Sequence, residues 1–369
     1  FCIMAELLHA QRLSNLCKVT TRACGVLSPM VLAFYSAITG ETAKLKSDAS
    51  VFTIADGIVQ HLLVDHLFKG NKFAAVVGEE EGSMVNIVTA PYKVDDLTVP
   101  EDFYGIIETA RSGLSELSNE IDPTLYQDLT IFIDPIDGTR EFSTELGEQC
   151  SICIGFSDNI GKPVAGVVYR PITQPPTYAA GAASEKFCES NLYTPAELQN
   201  PKGFLTSNGG ISPFIVALIK ELAYDRVPSG GAGNKMLMLL EGKGAAYIQD
   251  RGVSRWDTSG AQAVLEAHGG VLSKLTTFTN KQELSSYTYL RSTTGLNLDF
   301  EENTANLTPY NAANKKAVKK GDAPRRGTHE EFASYSNLCG LLAVNAVGME
   351  KLPEFYTAIQ VAKNIAEPA

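Results

Sequence analysis

Asp134 and Asp137 are the residues in this chain that first suggest chemistry. They stand three positions apart in Ile131-Phe132-Ile133-Asp134-Pro135-Ile136-Asp137-Gly138-Thr139. Leu129 to Ile133, rich in β-branched and aromatic residues, predicts a buried strand. Pro135 fixes its own φ and pushes Asp134 into an extended conformation. Gly138 permits a tight turn and a close approach of backbone to a ligand. Two carboxylates at this spacing on a turn converge, and converging carboxylates are stable only with a cation between them. An all-oxygen donor set suits a hard ion, Mg²⁺ first. Thr139 adds a hydroxyl that can hold or polarise a water. The alternative for both acids is structural, since Asp-Pro and Asp-Gly commonly supply a helix cap and a turn.

Two more acidic stretches bear on that choice. Phe73 to Val77 predicts a short strand that ends in Gly78-Glu79-Glu80-Glu81-Gly82; by itself the triplet would be a solvated turn. Arg255-Trp256-Asp257-Thr258-Ser259 precedes Ala261, Val264, Leu265 and Ala267, an apolar run with helical spacing that stops at Gly269-Gly270. Asp257 thus belongs near a helix N-terminus, where an ordinary N-cap is the structural alternative. Gly230-Gly231-Ala232-Gly233-Asn234-Lys235 opens another predicted helix. Its glycines allow backbone amides to face an anion, and Lys235 adds a charge that can reach a phosphate; a flexible turn with an exposed lysine is the plainer possibility.

The elements around these residues follow from pattern. Residues 5–40 read as helix, broken near Ser28-Pro29. Thr53-x-x-Asp56, ahead of Ile58, Val59, Leu62 and Leu63, looks like a helix cap. A surface excursion over 83–128 contains a helix opened by Val99-Pro100-Glu101-Asp102. Strands are expected at Ser151–Phe156, Val164–Tyr169 and Tyr178–Phe187, forming an antiparallel sheet. After Pro201 strands and helices alternate (Phe204–Asn208, Ile215–Leu222, Arg226–Ser229, Asn234–Leu240, Ala245–Ile248), which argues for an α/β domain. The boundary is placed near 195, giving an α+β domain over 1–195 and an α/β domain over 196–369. Residues 276–335 are polar, and Lys315, Lys316, Lys319, Lys320, Arg325 and Arg326 cluster in a basic surface loop over 311–330, with a substrate-guiding lid as the lesser alternative. Leu338–Val347 and Pro353–Ala366 read as a final strand and helix.

Composition sets limits. The chain has 369 residues, 44% hydrophobic and 20% charged, an ordinary globular balance. A net charge of −11 argues against a general nucleic-acid partner. No apolar run of about 18 residues stands out, so no membrane span is expected. The 7 cysteines have no paired zinc spacing. Cys150-Ser151-Ile152-Cys153 lies in a predicted strand, where its two thiols point to opposite faces. Reduced cysteines suit a cytoplasmic location. The chain begins at Phe1, so an earlier targeting segment stays open.

Taken together, strand-Gly-Glu-Glu, strand-Asp-Pro-Ile-Asp-Gly-Thr and Trp-Asp before a Gly-Gly-terminated helix resemble the lithium-sensitive, Mg²⁺-dependent phosphatase superfamily. That superfamily includes inositol monophosphatases, fructose-1,6-bisphosphatases, inositol polyphosphate 1-phosphatases and 3′(2′),5′-bisphosphate nucleotidases. The motifs occur in the family's order from about Asp56 to Gly270. The resemblance implies a layered αβαβα sugar-phosphatase fold and phosphomonoester hydrolysis with two to three Mg²⁺ ions. By the same resemblance Glu79, Asp134 and the carbonyl of Ile136 hold one ion. Asp134, Asp137 and Asp257 hold a second, and Glu80 supports a third. Asp56 and Thr139 would act on the attacking water. Gly138, Thr139, Ser207, Asn208, Gly231, Ala232 and Lys235 would meet a small phosphorylated substrate.

Within the superfamily, Gly138-Thr139-Arg140-Glu141-Phe142 and Gly230–Lys235 followed by Glu241-Gly242-Lys243 match the bisphosphate nucleotidases, which implies 3′-phosphoadenosine 5′-phosphate as substrate. The long tail after Gly270 is more like the inositol polyphosphate 1-phosphatases, whose substrate would be inositol 1,4-bisphosphate. Asn208 stands where nucleotidases often have a histidine. A Mg²⁺- or phosphate-binding sensor without turnover is the non-enzymatic alternative. A degenerate relative would usually have lost one of Asp56, Glu79, Asp134, Asp137, Thr139 and Asp257, and all are present.

Overall fold

The computed structural model describes residues 11–39, 49–70, 72–193, 195–250, 252–300, 328–366 and 368. The chain divides into two compact units. The first holds residues up to Tyr193 together with Ser229–Leu237 and Trp256–His268; the second holds Thr194–Pro228, Met238–Arg255 and Gly269 onward. The first switch falls at Tyr193–Thr194, beside the expected boundary near 195. Two later segments nevertheless return to the first unit. They are the glycine-rich loop and the helix of Asp257, both expected in the α/β domain.

The first unit is a sheet covered by helices. Helices α1 (Arg12–Thr39) and α2 (Ala49–Leu62) come first, then strand β1 (Ala75–Gly78). Strands β2 (Val85–Asn86), β3 (Lys93–Val94) and β4 (Leu97–Thr98) make a small antiparallel sheet, followed by α3 (Tyr104–Ser118). Strand β5 (Thr130–Asp137) leads into the short helix α4 (Thr139–Phe142), and β6 (Ser151–Ser157), β7 (Pro163–Arg170), β8 (Thr177–Ala182) and β9 (Phe187–Ser190) follow. The sheet order is β1-β5-β6-β7-β8-β9, with β1 parallel to β5 and every other pair antiparallel. The strand expected over Tyr178–Phe187 is two strands, separated by a turn at Ala183–Glu185. Along β6, side chains alternate by strand geometry. Ile152, Ile154 and Phe156 enter the core shared with α1 and α2, whereas Cys153 and Gly155 meet the segments that return late in the chain.

Three helical expectations are corrected. Pro29 lies inside α1 without breaking it; Leu27, Met30, Val31 and Phe34 are fully buried around it, and the Ser28 hydroxyl donates to the Pro171 carbonyl at 2.6 Å. Packing on both sides of the proline outweighs its local cost. Thr53 and Asp56 sit within α2, which already begins at Ala49, so neither is its cap. Arg12–Ile38 is long and apolar enough to cross a membrane, with a mean hydropathy of 1.3, although Lys18 and Arg22 interrupt the linear run. In this structure the helix packs on β7, β8 and α3.

The second unit follows β10 (Gly203–Thr206), α5 (Pro213–Leu222) and β11 (Asp225–Pro228). After α6 (Ala232–Leu240), which begins in the first unit, come β12 (Ala246–Gln249) and α7 (Arg255–Ala267), which returns to the first unit. Then follow β13 (Val271–Lys274), α8 (Leu275–Lys281), β14 (Leu341–Val344) and α9 (Leu352–Lys363). The sheet order is β11-β10-β12-β14-β13. The first three strands are parallel, and β14 is antiparallel to both neighbours. Phe214, Leu218, Phe355 and Ile359 of α5 and α9 fill its core with Phe204 and Ile248. Part of the segment read as a polar loop is buried: Tyr287, Tyr289 and Asp299 are nearly inaccessible, and the Arg255 guanidinium lies over the Tyr287 ring. Arg255 pairs with Asp299 at 2.9 Å and donates to the Thr288 carbonyl at 2.8 Å. The cluster of lysines and arginines over 315–326 lies outside the described residues.

Candidate active site

Parallel pairing of β1 with β5 brings the two acidic strand ends together. The register sets Gly78 beside Ile133, and the Glu79 N–H donates to the Ile133 carbonyl at 3.1 Å. Glu79 therefore emerges next to Asp134. Asp257 arrives on α7, which lies directly on the sheet at a patch of glycines. A Cβ on Gly155 would come within 2.4 Å of the Gly260 nitrogen, and one on Gly260 within 2.5 Å of the Ile154 oxygen. The backbones touch because no side chain separates them. As a result Glu79, Asp134 and Asp257 offer carboxylate oxygens within 4.8 Å of one another.

Such crowding has an electrostatic cost. Burial, then the charges of Glu79, Asp137 and Asp257, hold Asp134 well above the usual carboxylate range. Glu79 is exposed as a residue, yet burial of its carboxyl group and the charge of Asp257 push it up to about 7. Asp56 is raised by burial and then by Glu79 and Glu80. Among the described residues, Asp56 Oδ1 and Asp134 Oδ1 are buried without a hydrogen-bond partner. Repelling carboxylates with orphaned oxygens and no sulfur or imidazole among them fit a hard divalent cation such as Mg²⁺. The described structure groups three acids in this way, Glu79, Asp134 and Asp257.

Asp137 is held differently. Its oxygens accept from the Ala232 N–H at 3.0 Å and the Gly233 N–H at 2.7 Å, and from the Ser151 hydroxyl at 3.1 Å. The glycine loop thus turns its amides to a carboxylate of the protein itself, at the N-terminus of α6. Glycine is required here for close approach: a Cβ on Gly233 would sit 2.3 Å from Cys153 Sγ, and Gly231, at φ 62°, would place one 2.9 Å from Asp137 Oδ2. Burial raises the Asp137 carboxyl, while Lys235, the two amides and Ser151 oppose the rise. Lys235 is neither exposed nor extended toward solvent. It is buried at 3% exposure, and its ammonium donates to the Gly231 carbonyl at 2.6 Å and the Ser229 carbonyl at 3.2 Å. Burial pulls it down to about 8 against the charges of Asp137, Glu141 and Asp257.

The remaining expected residues divide. Gly138 adopts φ 103° and caps α4, leaving Thr139 exposed on the first turn. Asp56 meets Glu80 and the Ile136 N–H; no hydrogen bond joins Asp56 to Thr139 among the described residues. The Glu80 N–H donates to Gln60 Oε1 at 2.9 Å, and its carboxylate accepts from the Ser83 hydroxyl at 3.1 Å. Ile136 is buried within β5. Ser207 and Asn208 belong to the second unit, just beyond β10. There Ser207 lines a cavity of about 270 Å³ with Thr206, Ser212, Gln249 and Asp250.

Three residues that bond the site's elements carry no local signal in the sequence: Gln60, Gln149 and Arg170. Gln149 Oε1 accepts from the Gly230 N–H at 2.7 Å, and Arg170 Nε donates to Asn234 Oδ1 at 2.7 Å. Each bonds a partner distant in the chain, so nothing beside it in the sequence marks it.

The model of the inositol monophosphatase family matches residues 13–296. Mouse (Mus musculus) 3′(2′),5′-bisphosphate nucleotidase 1 is 27% identical over 233 residues, 60% of this chain and 71% of that protein. The human (Homo sapiens) protein of the same name is 29% identical over 241 residues, with the same shares covered. Among solved structures, CysQ from Bacteroides thetaiotaomicron, described as a bacterial member of the inositol monophosphatase family, superposes with a TM-score of 0.53 at 17% identity, over 90% of this chain and 98% of that one. That likeness agrees with the layered α+β architecture. With the acid-bearing strand ends and the Trp-Asp helix in one unit and the family match running across both, the chain belongs to the inositol monophosphatase family.

Proposed function

We propose that this chain is a Mg²⁺-dependent phosphoric monoester hydrolase whose substrate is a 3′(2′),5′-bisphosphate nucleotide, 3′-phosphoadenosine 5′-phosphate first. The observation that carries the reading is the group Glu79, Asp134 and Asp257, with its raised carboxyl groups and the orphaned Asp134 Oδ1. Those three residues would hold the ion, with Asp137, Glu80 and the Ile136 carbonyl as the further donors for a second or third. Bound there, Mg²⁺ supplies charge neutralisation to the phosphate and acidifies water.

The protein groups do the rest. Thr139, exposed at the head of α4, offers a hydroxyl to orient the incoming water. Asp56, buried beside Glu80 and the Ile136 N–H, fixes the turn between β5 and α4 instead of bonding Thr139 directly. The water oxygen forms the new bond to phosphorus as the phosphorus–ester oxygen bond breaks. A proton from water ends on the leaving hydroxyl. Names of the mouse and human relatives support the nucleotide substrate, as does the glycine loop matched from Gly230 to Lys235. The tail beyond Gly270 favours an inositol polyphosphate as the second reading.

The test is phosphate release from 3′-phosphoadenosine 5′-phosphate and from inositol 1,4-bisphosphate, side by side, with Mg²⁺ and with chelator. Faster Mg²⁺-dependent release from the nucleotide is expected. Preference for the inositol compound would reassign the substrate, and Mg²⁺ binding without release from either would leave a sensor.

A further inference from the structure

Asp137 depends on a loop that is itself held by a buried arginine. Arg170 closes β7 and is 4% exposed. Its Nε donates to Asn234 Oδ1 at 2.7 Å and its Nη2 to the Asn234 carbonyl at 3.2 Å. Asn234 in turn donates through Nδ2 to the Ser229 hydroxyl at 2.9 Å and to the Gly230 carbonyl at 3.0 Å. Gln149 fastens the same turn by accepting from the Gly230 N–H. The two amides that clasp Asp137 are those of Ala232 and Gly233, inside the span that Asn234 closes. A guanidinium buried this deeply is retained only where its donors are satisfied, and here Nε and Nη2 are both given to one asparagine.

We propose that Arg170 is a positioning residue for divalent-cation binding. Acting through Asn234, it fixes the Ser229–Gly233 turn and so the orientation of Asp137 toward the acid cluster. Hydrogen-bonded partners behind a metal-binding carboxylate set its direction, and their loss commonly costs roughly 10–100-fold in metal affinity or activity. Lysine at this position keeps the charge but loses the fork that grips both the amide oxygen and the carbonyl. The inference rests on the phosphatase reading only in naming the ion; its test contains no substrate.

The experiment is calorimetric titration of Mg²⁺ into the full chain and into Arg170→Lys, Asn234→Ala and the double variant, with circular dichroism to establish folding. About tenfold weaker binding is expected in each single variant. The double variant is expected to be no weaker than the worse single, because both changes release one turn. Trp256, beside Asp257 and the single tryptophan of the chain, gives a second readout through its fluorescence on Mg²⁺ addition. Affinity within twofold of the parent in a folded Arg170→Lys overturns the proposal, as does additive weakening. If Arg170→Lys does not fold, Asn234→Ala decides by the same criterion. If neither folds, the pair belongs to the scaffold and the proposal fails. Failure of the phosphatase reading looks different: the parent binds Mg²⁺ but releases phosphate from no monoester.

Discussion

Two aspartates in one motif make opposite demands on the metal-free protein. Asp134 is buried among like charges with an oxygen lacking any partner, so Asp134→Asn removes repulsion. It is expected to raise the melting temperature in chelator while abolishing Mg²⁺-dependent hydrolysis. Asp137 accepts two backbone N–H groups and a hydroxyl. Asp137→Asn turns an amide NH₂ toward a donor and is expected to cost about 1–3 kcal/mol, lowering the melting temperature under the same conditions. Equal shifts in the two variants would contradict this contrast. Glu79 adds a pH signature. Its folded pKa is raised to about 7 from an ordinary 4.5, so the folded state binds the proton more tightly than the unfolded chain. The resulting stability is fully present below the unfolded value and is lost as pH rises through about 7. Asp56 and Asp134, raised in the same direction, add to the loss. Thermal melts in chelator from acidic to neutral pH are expected to fall toward neutrality, and melts with Mg²⁺ to fall less, because the ion replaces the proton.

At the scale of elements, the site depends on how one loop and one helix are seated. Lys235 bonds the carbonyls of Ser229 and Gly231 and sits among Asp137, Glu141 and Asp257. Lys235→Met is therefore expected to reduce kcat/KM by about tenfold or more, equally for substrates with one and two phosphates, since one charge-assisted contact is worth roughly 1.5–3 kcal/mol. A loss confined to the bisphosphate would place the ammonium at the second phosphate. For α7 the seat is Gly260. A Cβ there would press on backbone, 2.5 Å from the Ile154 oxygen, where neither partner can rotate away. Gly260→Ala is expected to cost about 1–3 kcal/mol and to weaken Mg²⁺ binding, because Asp257 rides on the displaced helix. Gly210→Ala, with nothing within 4 Å of the new atom, is the neutral control; equal stability of the two variants would remove the argument from packing.

At the scale of the molecule, the acids, the glycine loop and the Asp257 helix all lie in the first unit. Mg²⁺ is thus expected to stabilise that unit. At about 100 times its dissociation constant, an ion bound only by the folded state adds about 2.7 kcal/mol. Trp256 lies in the same unit, so its fluorescence transition on heating is expected to move up with Mg²⁺ and back with chelator. A transition indifferent to Mg²⁺ would mean that the acid cluster does not hold the ion in the folded protein.

The sequence by itself determined the local part of this site. Strand, turn and helix signals lie within a few residues of Asp134, Gly138 and Asp257, and the structure places them on β5, α4 and α7 as their neighbours dictate. The patterns that predicted β6, β7 and the α/β second half are equally local. Tertiary structure decided what those signals could not contain. That Asp137 accepts from a helix N-terminus depends on Ala232 and Gly233, about a hundred residues away. Whether Lys235 reaches solvent depends on the burial of its loop, and whether that loop lies in the first unit depends on its own glycines, which let it sit against Asp137, Glu141 and Cys153. Pro29 likewise obeys its buried neighbours over its own ring. A residue's type limits the bonds it can make; only the assembled core removes water from one partner and supplies another, and that exchange fixed the partners that Asp137, Lys235 and Arg170 bond.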